Sequence, residues 1–290
     1  MHMSNEMVIR NINVDTASAM VSDYGAHVLT WAPRGESAVV WCPSVVHLNE
    51  GKAIRGGVPI IFPWFNFGFE NGRVTSKKPK HGFGRVSFWE FDERASNEGH
   101  LRYMLSDEAI DDTVLAQFGF GGIPRFHAIY DIEIGESLTM ALTVCNVGNV
   151  PFAYEAALHT YLHVGDVDCA KVLGLEGARY VDTTLEDDPI VVQGNEAVAF
   201  SGLVDRIYYS TDTLRLRDDA LGRTIVIAKQ GAPQTVVRNP GERNGNAMGD
   251  LSKGEWRRFV CVEAVANRDG AITVDPGEFH TLSQTISVER

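Results

Sequence analysis

The chain has 290 residues, 44% of them hydrophobic, 22% charged, with a formal net charge of −12. That length is enough to bury a large core, and all-β domains of this size often form one unit, so the expectation is a single domain over residues 1–290. The acidic balance excludes nucleic acid as a partner, because binding a phosphate backbone needs a basic face. It also makes any local cluster of positive charge informative. Met1-His2-Met3-Ser4-Asn5-Glu6 has neither the basic start nor the apolar stretch of a signal peptide, and no apolar run is long enough to span a bilayer. Cys42, Cys145, Cys169 and Cys261 are scattered without metal-ligand spacing and read as reduced core residues of a cytoplasmic protein.

Taken in chain order, strand signals dominate. Pro33-Arg34-Gly35 is a turn, and Ala38-Val39-Val40-Trp41-Cys42 reads as a fully buried strand. In Ile54-Arg55-Gly56-Gly57-Val58-Pro59 the paired glycines permit positive φ or close approach of a ligand to the backbone. An arginine beside such a turn suits bidentate capture of a phosphate or carboxylate. The segment Arg73 to Arg85, RVTSKKPKHGFGR, has five lysines and arginines and no acidic residue. Lys77 and Lys78 read as a solvated loop. Arg55 and Arg85, with glycines and aromatics nearby, read as functional. The segment lacks the spacing of a P-loop.

Asp111 to Phe118 is expected to form one short helix. Gly121-Gly122 is a turn. Tyr130 to Ile134, the turn Gly135-Glu136-Ser137 and Leu138 to Val144 form a β-hairpin with one buried face. Val147-Gly148-Asn149 is a further turn. Tyr154 to His163 reads as a strand with Ala157, His159, Tyr161 and His163 on one face. His159 and His163 cannot share one metal ion there: four residues of strand span about 13 Å, and ligand bonds are about 2 Å long. A histidine in such a place is either structural or catalytic.

Thr224 to Ala228 reads as another fully buried strand. Trp256 to Ala264 is an apolar strand on which period two puts Glu263 with Cys261 and Phe259. Glu263 is expected to be partly buried, which raises its pKa and suits it to act as a base; pairing with Arg257, Arg258 or another cation is the alternative. Asp275-Pro276-Gly277 is a turn. Thr281 to Val288 alternates Leu282, Ile286 and Val288 with Thr281, Ser283, Thr285 and Ser287. Many short strands with such punctuation imply a large antiparallel sandwich or barrel.

The ordered set of segments resembles the aldose 1-epimerase superfamily and, within it, the hexose-6-phosphate epimerases. The matching pieces are Gly25-Ala26-His27-Val28-Leu29, Ile54 to Pro59 with Phe62-Pro63, and His81-Gly82-Phe83-Gly84-Arg85. Ala157 to Tyr161, Val204 to Tyr208, Asn239-Pro240 and Val262-Glu263-Ala264 complete it. The resemblance implies an all-β fold, the large antiparallel β-sandwich of the galactose mutarotase type. It implies His159 as catalytic acid and Glu263 as catalytic base. It implies Arg55, Arg85 and Asp205 as substrate-binding residues, with His81 on a sugar hydroxyl. The family often has glutamine before His-Gly-Phe, where this chain has Lys80, a further candidate for holding phosphate; it often has tryptophan before Asn-Pro, where this chain has Arg238.

The implied activity is interconversion of the anomers of a hexose 6-phosphate, with no cofactor and no metal. The chemistry needs one group to take the anomeric proton and another to protonate the ring oxygen, and the sequence has no GxSxG, Rossmann or zinc signature that would suggest otherwise. The partner is a small sugar phosphate, with neither nucleic acid nor membrane involved, and the protein is expected to be a monomer. A mutarotase of free aldoses, or a carbohydrate-binding module without catalysis, are the competing readings.

Overall fold

Two large sheets carry the molecule in a computed structural model that describes residues 7–118 and 122–290. Gly121 and the first six residues lie outside the described residues. A nine-stranded sheet contains the expected hairpin, now Phe126–Ile134 and Leu138–Asn146, flanked by Phe279–Glu289 and His100–Ser106. An eight-stranded sheet is built around Val204–Tyr208, Gln234–Asn239, Phe259–Ala266 and the short strands Ala156–Leu158 and Tyr161–His163. A three-stranded sheet, Ile9–Val14, Ala17–Ser22 and His27–Pro33, leads the chain. Paired strands among the described residues run antiparallel, which is the all-β architecture expected. No helix of the described residues is long and apolar enough to cross a membrane.

Alternation determines which faces meet. Leu138, Met140, Leu142 and Val144 of one sheet, with Leu282 and Ile286 beside them, pack toward Val260, Val262, Ala264 and Ala266 of the other. Each of these side chains is fully or nearly fully removed from water, worth about 1.5–3 kcal/mol for a large aliphatic group. The opposite face of the eight-stranded sheet therefore turns away from the main core. On that face sit Phe259, Cys261 and Glu263, as period two requires.

Three segments depart from expectation. Ala38 to Cys42 is buried at Val39, Val40 and Trp41 but is no strand. Val39 and Val40 both donate to the Trp31 carbonyl, and Trp41 donates to Tyr161. The segment crosses between elements, so its apolar run reflects burial on all sides and not a ladder. Arg223–Gln230 is a strand, yet only alternate residues are buried, since Thr224, Val226 and Ala228 lie on the outer face. Lys77 is not solvated: its ammonium pairs with Glu70 at 2.6 Å. Lys78 is exposed as expected. The expected helix is a single turn, Asp112–Leu115, capped by Asp111.

Gln284 joins the two sheets. Fully buried on strand Phe279–Glu289, it donates to the Val262 carbonyl at 3.0 Å and accepts from the Thr160 hydroxyl. Replacing it by leucine takes the side-chain donor from the buried Val262 carbonyl and leaves the Thr160 hydroxyl only its long, 3.4 Å bond to the Leu158 carbonyl. Gln284→Leu is expected to lower stability by about 2–4 kcal/mol, read as a fall in the urea midpoint with an unchanged slope.

Candidate active site

Strand register builds the site. Leu158 pairs with Ala264 and Tyr161 with Cys261. The same register holds across the gap between these pairs, so His159 stands opposite Glu263. The ladder is interrupted there: the His159 N–H donates to Pro59, and the Val262 N–H donates to Thr160. The expected continuous strand from Tyr154 to His163 is thus three short pieces. His159 Nδ1 lies 3.3 Å from Glu263 Oε1, without the alignment of a hydrogen bond. Both Glu263 oxygens and His159 Nδ1 are buried with no hydrogen-bond partner among the described residues.

Two rows of side chains cross the sheet. Asp205 pairs with Arg238, Arg238 with Cys261, and Cys261 with Tyr161. The adjoining row runs through Ile207, Val236 and Glu263 to His159. The Tyr161 ring lies flat against the His159 imidazole, centroids 5.0 Å apart and planes 5° from parallel. Arg55 donates to the Tyr161 hydroxyl at 2.9 Å and pairs with Asp250 at 2.9 Å. Arg238 pairs with Asp205 at 3.0 Å.

The other walls come from loops. Gly56 and Gly57 have φ of 80° and 64°, and a Cβ on Gly57 would collide with His27 and the Val28 carbonyl. His27, fully buried, bonds the Gly56 carbonyl through Nε2 at 2.8 Å and so braces the turn that follows Arg55. His81 Nδ1 accepts the Asn66 N–H at 3.1 Å. Its proton is therefore on Nε2, available to donate. Arg85 donates to the Lys80 carbonyl at 2.7 Å, and its Nε is buried without a partner among the described residues.

The residues given a substrate or catalytic role in sequence all line one cavity of about 410 Å3: Arg55, Lys80, His81, Arg85, His159, Asp205 and Glu263. Tyr161, Arg238 and Arg268 line it too. Tyr161 lies within a quoted segment and Arg238 was visible as a departure, but neither carried a site role in sequence; Arg268 carried no local signal. Glu263 is wholly buried, more than the partial burial expected. Arg257 is not its partner but bonds Asp166 and Asp168.

Burial pushes the Glu263 carboxyl well above its usual range; Asp205 adds to this and Arg238 opposes it. Burial holds the His159 imidazole well below its usual value, and the charges of Arg238, Arg85 and Arg55 push the same way. A neutral imidazole beside a carboxylic acid holds the same number of protons as an imidazolium beside a carboxylate. The pair is a one-proton unit whose proton can sit on either partner. Ligand atoms of His159, Cys261 and Glu263 lie within 4.8 Å of one another, but the three guanidinium groups nearby oppose a divalent cation. His163 stands apart, its Nδ1 3.1 Å from the Ala38 carbonyl.

A family model described as aldose 1-epimerase matches residues 7–287. Two proteins named "Putative glucose-6-phosphate 1-epimerase" are similar to the chain. The one from Cenchrus ciliaris is 30% identical over 263 residues, covering 88% of this chain and 76% of the relative. The one from Salmonella typhimurium is 32% identical over 246 residues, covering 83% and 77%. The crystal structure of a "putative mutarotase" from Salmonella typhimurium superposes with a TM-score of 0.84 at 27% identity, covering 99% of this chain and 92% of that one.

His27 makes the brace of the Arg55 turn sensitive to acid. Burial, with Arg85 adding to it, pushes its pKa from 6.5 down to about 4. The folded state thus resists protonation where the unfolded chain accepts it. The share of stability that His27 contributes is whole above 6.5 and is lost as the pH drops toward 4, about 3 kcal/mol. Urea midpoints measured across this interval should show the fall, and His27→Gln should flatten that part of the profile.

Proposed function

We propose that this chain, which belongs to the aldose 1-epimerase family and is a sugar epimerase, interconverts the α and β anomers of a hexose 6-phosphate, glucose 6-phosphate foremost. The observation that carries this reading is a buried carboxyl, free of hydrogen bonds among the described residues, facing an imidazole at 3.3 Å, inside a pocket with two cations that lack a carboxylate partner among those residues.

The charge balance of the pocket supports the phosphate. Arg55 is paired with Asp250, Arg238 with Asp205 and Arg268 with Asp188. Lys80 and Arg85 have no carboxylate partner among the described residues. Their combined charge matches a phosphate monoester, about −1.5 to −2 at neutral pH. Burying the Arg85 guanidinium is costly, enough to bring its pKa down to about 10, with Arg55 contributing; a bound dianion offsets that cost. A neutral sugar would leave both charges unmatched.

In the reaction, Glu263 takes the proton of the anomeric hydroxyl while His159 gives one to the ring oxygen. The bond between C1 and the ring oxygen breaks and a carbonyl forms. After rotation about C1–C2 the ring closes on the other face and the two proton transfers reverse. Tyr161 holds the imidazole plane through stacking. His81 donates through Nε2 to a sugar hydroxyl, and Asp205 accepts from another. Phosphate bound by Arg55, Arg85 and Lys80 keeps C1 in register with the pair, so binding energy remote from C1 serves the chemistry.

Anomerisation of glucose 6-phosphate should fall by about 10²-fold or more in Glu263→Gln and in His159→Asn, measured with a dehydrogenase specific for one anomer. An undiminished rate in either variant removes the assigned roles and favours a binding module. Wild-type protein should prefer glucose 6-phosphate to glucose, and Arg85→Gln should erase most of that preference. Equal rates on the two sugars would instead favour a mutarotase of free aldoses.

A further inference from the structure

We infer that the substrate's phosphate, besides anchoring the sugar, moves the shared proton of the pair from Glu263 to His159 and so sets the two groups in their reactive state. This rests on the hexose-phosphate reading above.

The free site favours the unreactive arrangement for geometric reasons. The Glu263 carboxyl is fully buried, and no described donor or guanidinium bonds it. A bare carboxylate in such a place is costly, so the proton stays on it. His159 faces the opposite problem. The guanidinium of Arg55 reaches the Tyr161 hydroxyl, and that ring lies flat on the imidazole. Arg238 flanks Cys261 one row away in the same sheet. Arg85 and Lys80 line the same cavity, as does His81, whose ring centroid is 6.2 Å from that of His159. Cys261 and Tyr161 are uncharged, and Asp205 is committed to Arg238. A second positive charge on the imidazole is therefore opposed from several sides.

The cations do not act equally on the two partners. Arg238 acts on both partners, but Arg85 and Arg55 press on His159 alone, and the other charged group that acts on Glu263 is Asp205. Geometry agrees: Arg55 reaches the Tyr161 hydroxyl and the Tyr161 ring lies on the imidazole, so a phosphate held by Arg55 is on the histidine side of the pair. A dianion bound there cancels the field at the imidazole more than it raises the cost of a carboxylate at Glu263. The proton leaves Glu263 Oε1 and is taken up by His159 Nδ1, the facing atoms at 3.3 Å. The pair keeps its net charge, and no outside reactant takes part. The resulting carboxylate can accept the anomeric proton, and the imidazolium can give one to the ring oxygen. A sugar without phosphate reaches the pair while it is still in the neutral form.

The test uses 1,5-anhydroglucitol 6-phosphate, which lacks an anomeric hydroxyl and cannot turn over, and its unphosphorylated parent. Nitrogen-15 NMR of the labelled full chain at neutral pH, with His159 assigned through His159→Asn, reports the ionisation of the imidazole. A neutral His159 is expected in the free protein and with the parent alcohol. An imidazolium is expected with the phosphorylated compound, its proton affinity raised at least about tenfold, or one pH unit. A neutral His159 in the phosphorylated complex, or an imidazolium already present in the free protein, overturns the inference and leaves the hexose-phosphate reading standing. If the phosphorylated compound does not bind, that reading falls and takes this one with it.

Discussion

The direct opposition of His159 and Glu263 across two antiparallel strands is the constraint on which the rest of the site depends. Register makes every pair across a sheet all-or-nothing: a slip of one residue turns Glu263 into the main core and brings Val262 or Ala264 to the pocket. The surrounding structure secures that register. Val260, Val262 and Ala264 are packed into the inter-sheet core. Gln284 reaches across the sandwich to the Val262 carbonyl and the Thr160 hydroxyl, one residue from each member of the pair. The break in the ladder at His159 frees its ring to turn toward the carboxyl while its backbone N–H is still satisfied by Pro59.

Electrostatics in the pocket follow a division of labour. Three of its arginines are matched by aspartates, which holds their guanidinium groups in place, although the charges of Arg55 and Arg238 still act on His159. Arg85 and Lys80 have no carboxylate partner among the described residues, and on the proposed reading they give the pocket its demand for an anion. That demand lies in a chain of net charge −12, so a positive cavity is embedded in a negative body. His27 supports this arrangement from below, since its bond to Gly56 holds the turn that aims Arg55. Neutral histidine is the form that can be buried there, and burial next to Arg85 keeps it so.

Several elements were legible because local pattern and tertiary demand agreed. The hairpin around Gly135-Glu136-Ser137 and the alternation from Thr281 to Val288 each have one buried face, so period two survives into the structure. Ala38 to Cys42 was misleading because a crossing segment buried on all sides has the same composition as a central strand. Thr224 to Ala228 failed in the opposite sense: β-branched residues also suit a half-buried sheet face. Lys77 seemed free in sequence because its partner Glu70 meets it only after the intervening loop has folded back.

By itself the sequence determined the all-β class, the face on which Glu263 lies relative to Val262, and, through the order of its short motifs, the family and part of the pocket lining. Those are properties of local periodicity and of which residue types are present. Only the tertiary structure decided that His159 faces Glu263, that Tyr161 stacks on the imidazole, and that Arg238 quiets Asp205 while Arg85 and Lys80 stay unmatched. Such relations depend on pairing between strands that lie far apart in the chain, as Leu158 and Ala264 do, and on how deeply each charge is buried. Nothing in a strand's own residues specifies its partner's register or the field of groups brought beside it by the fold.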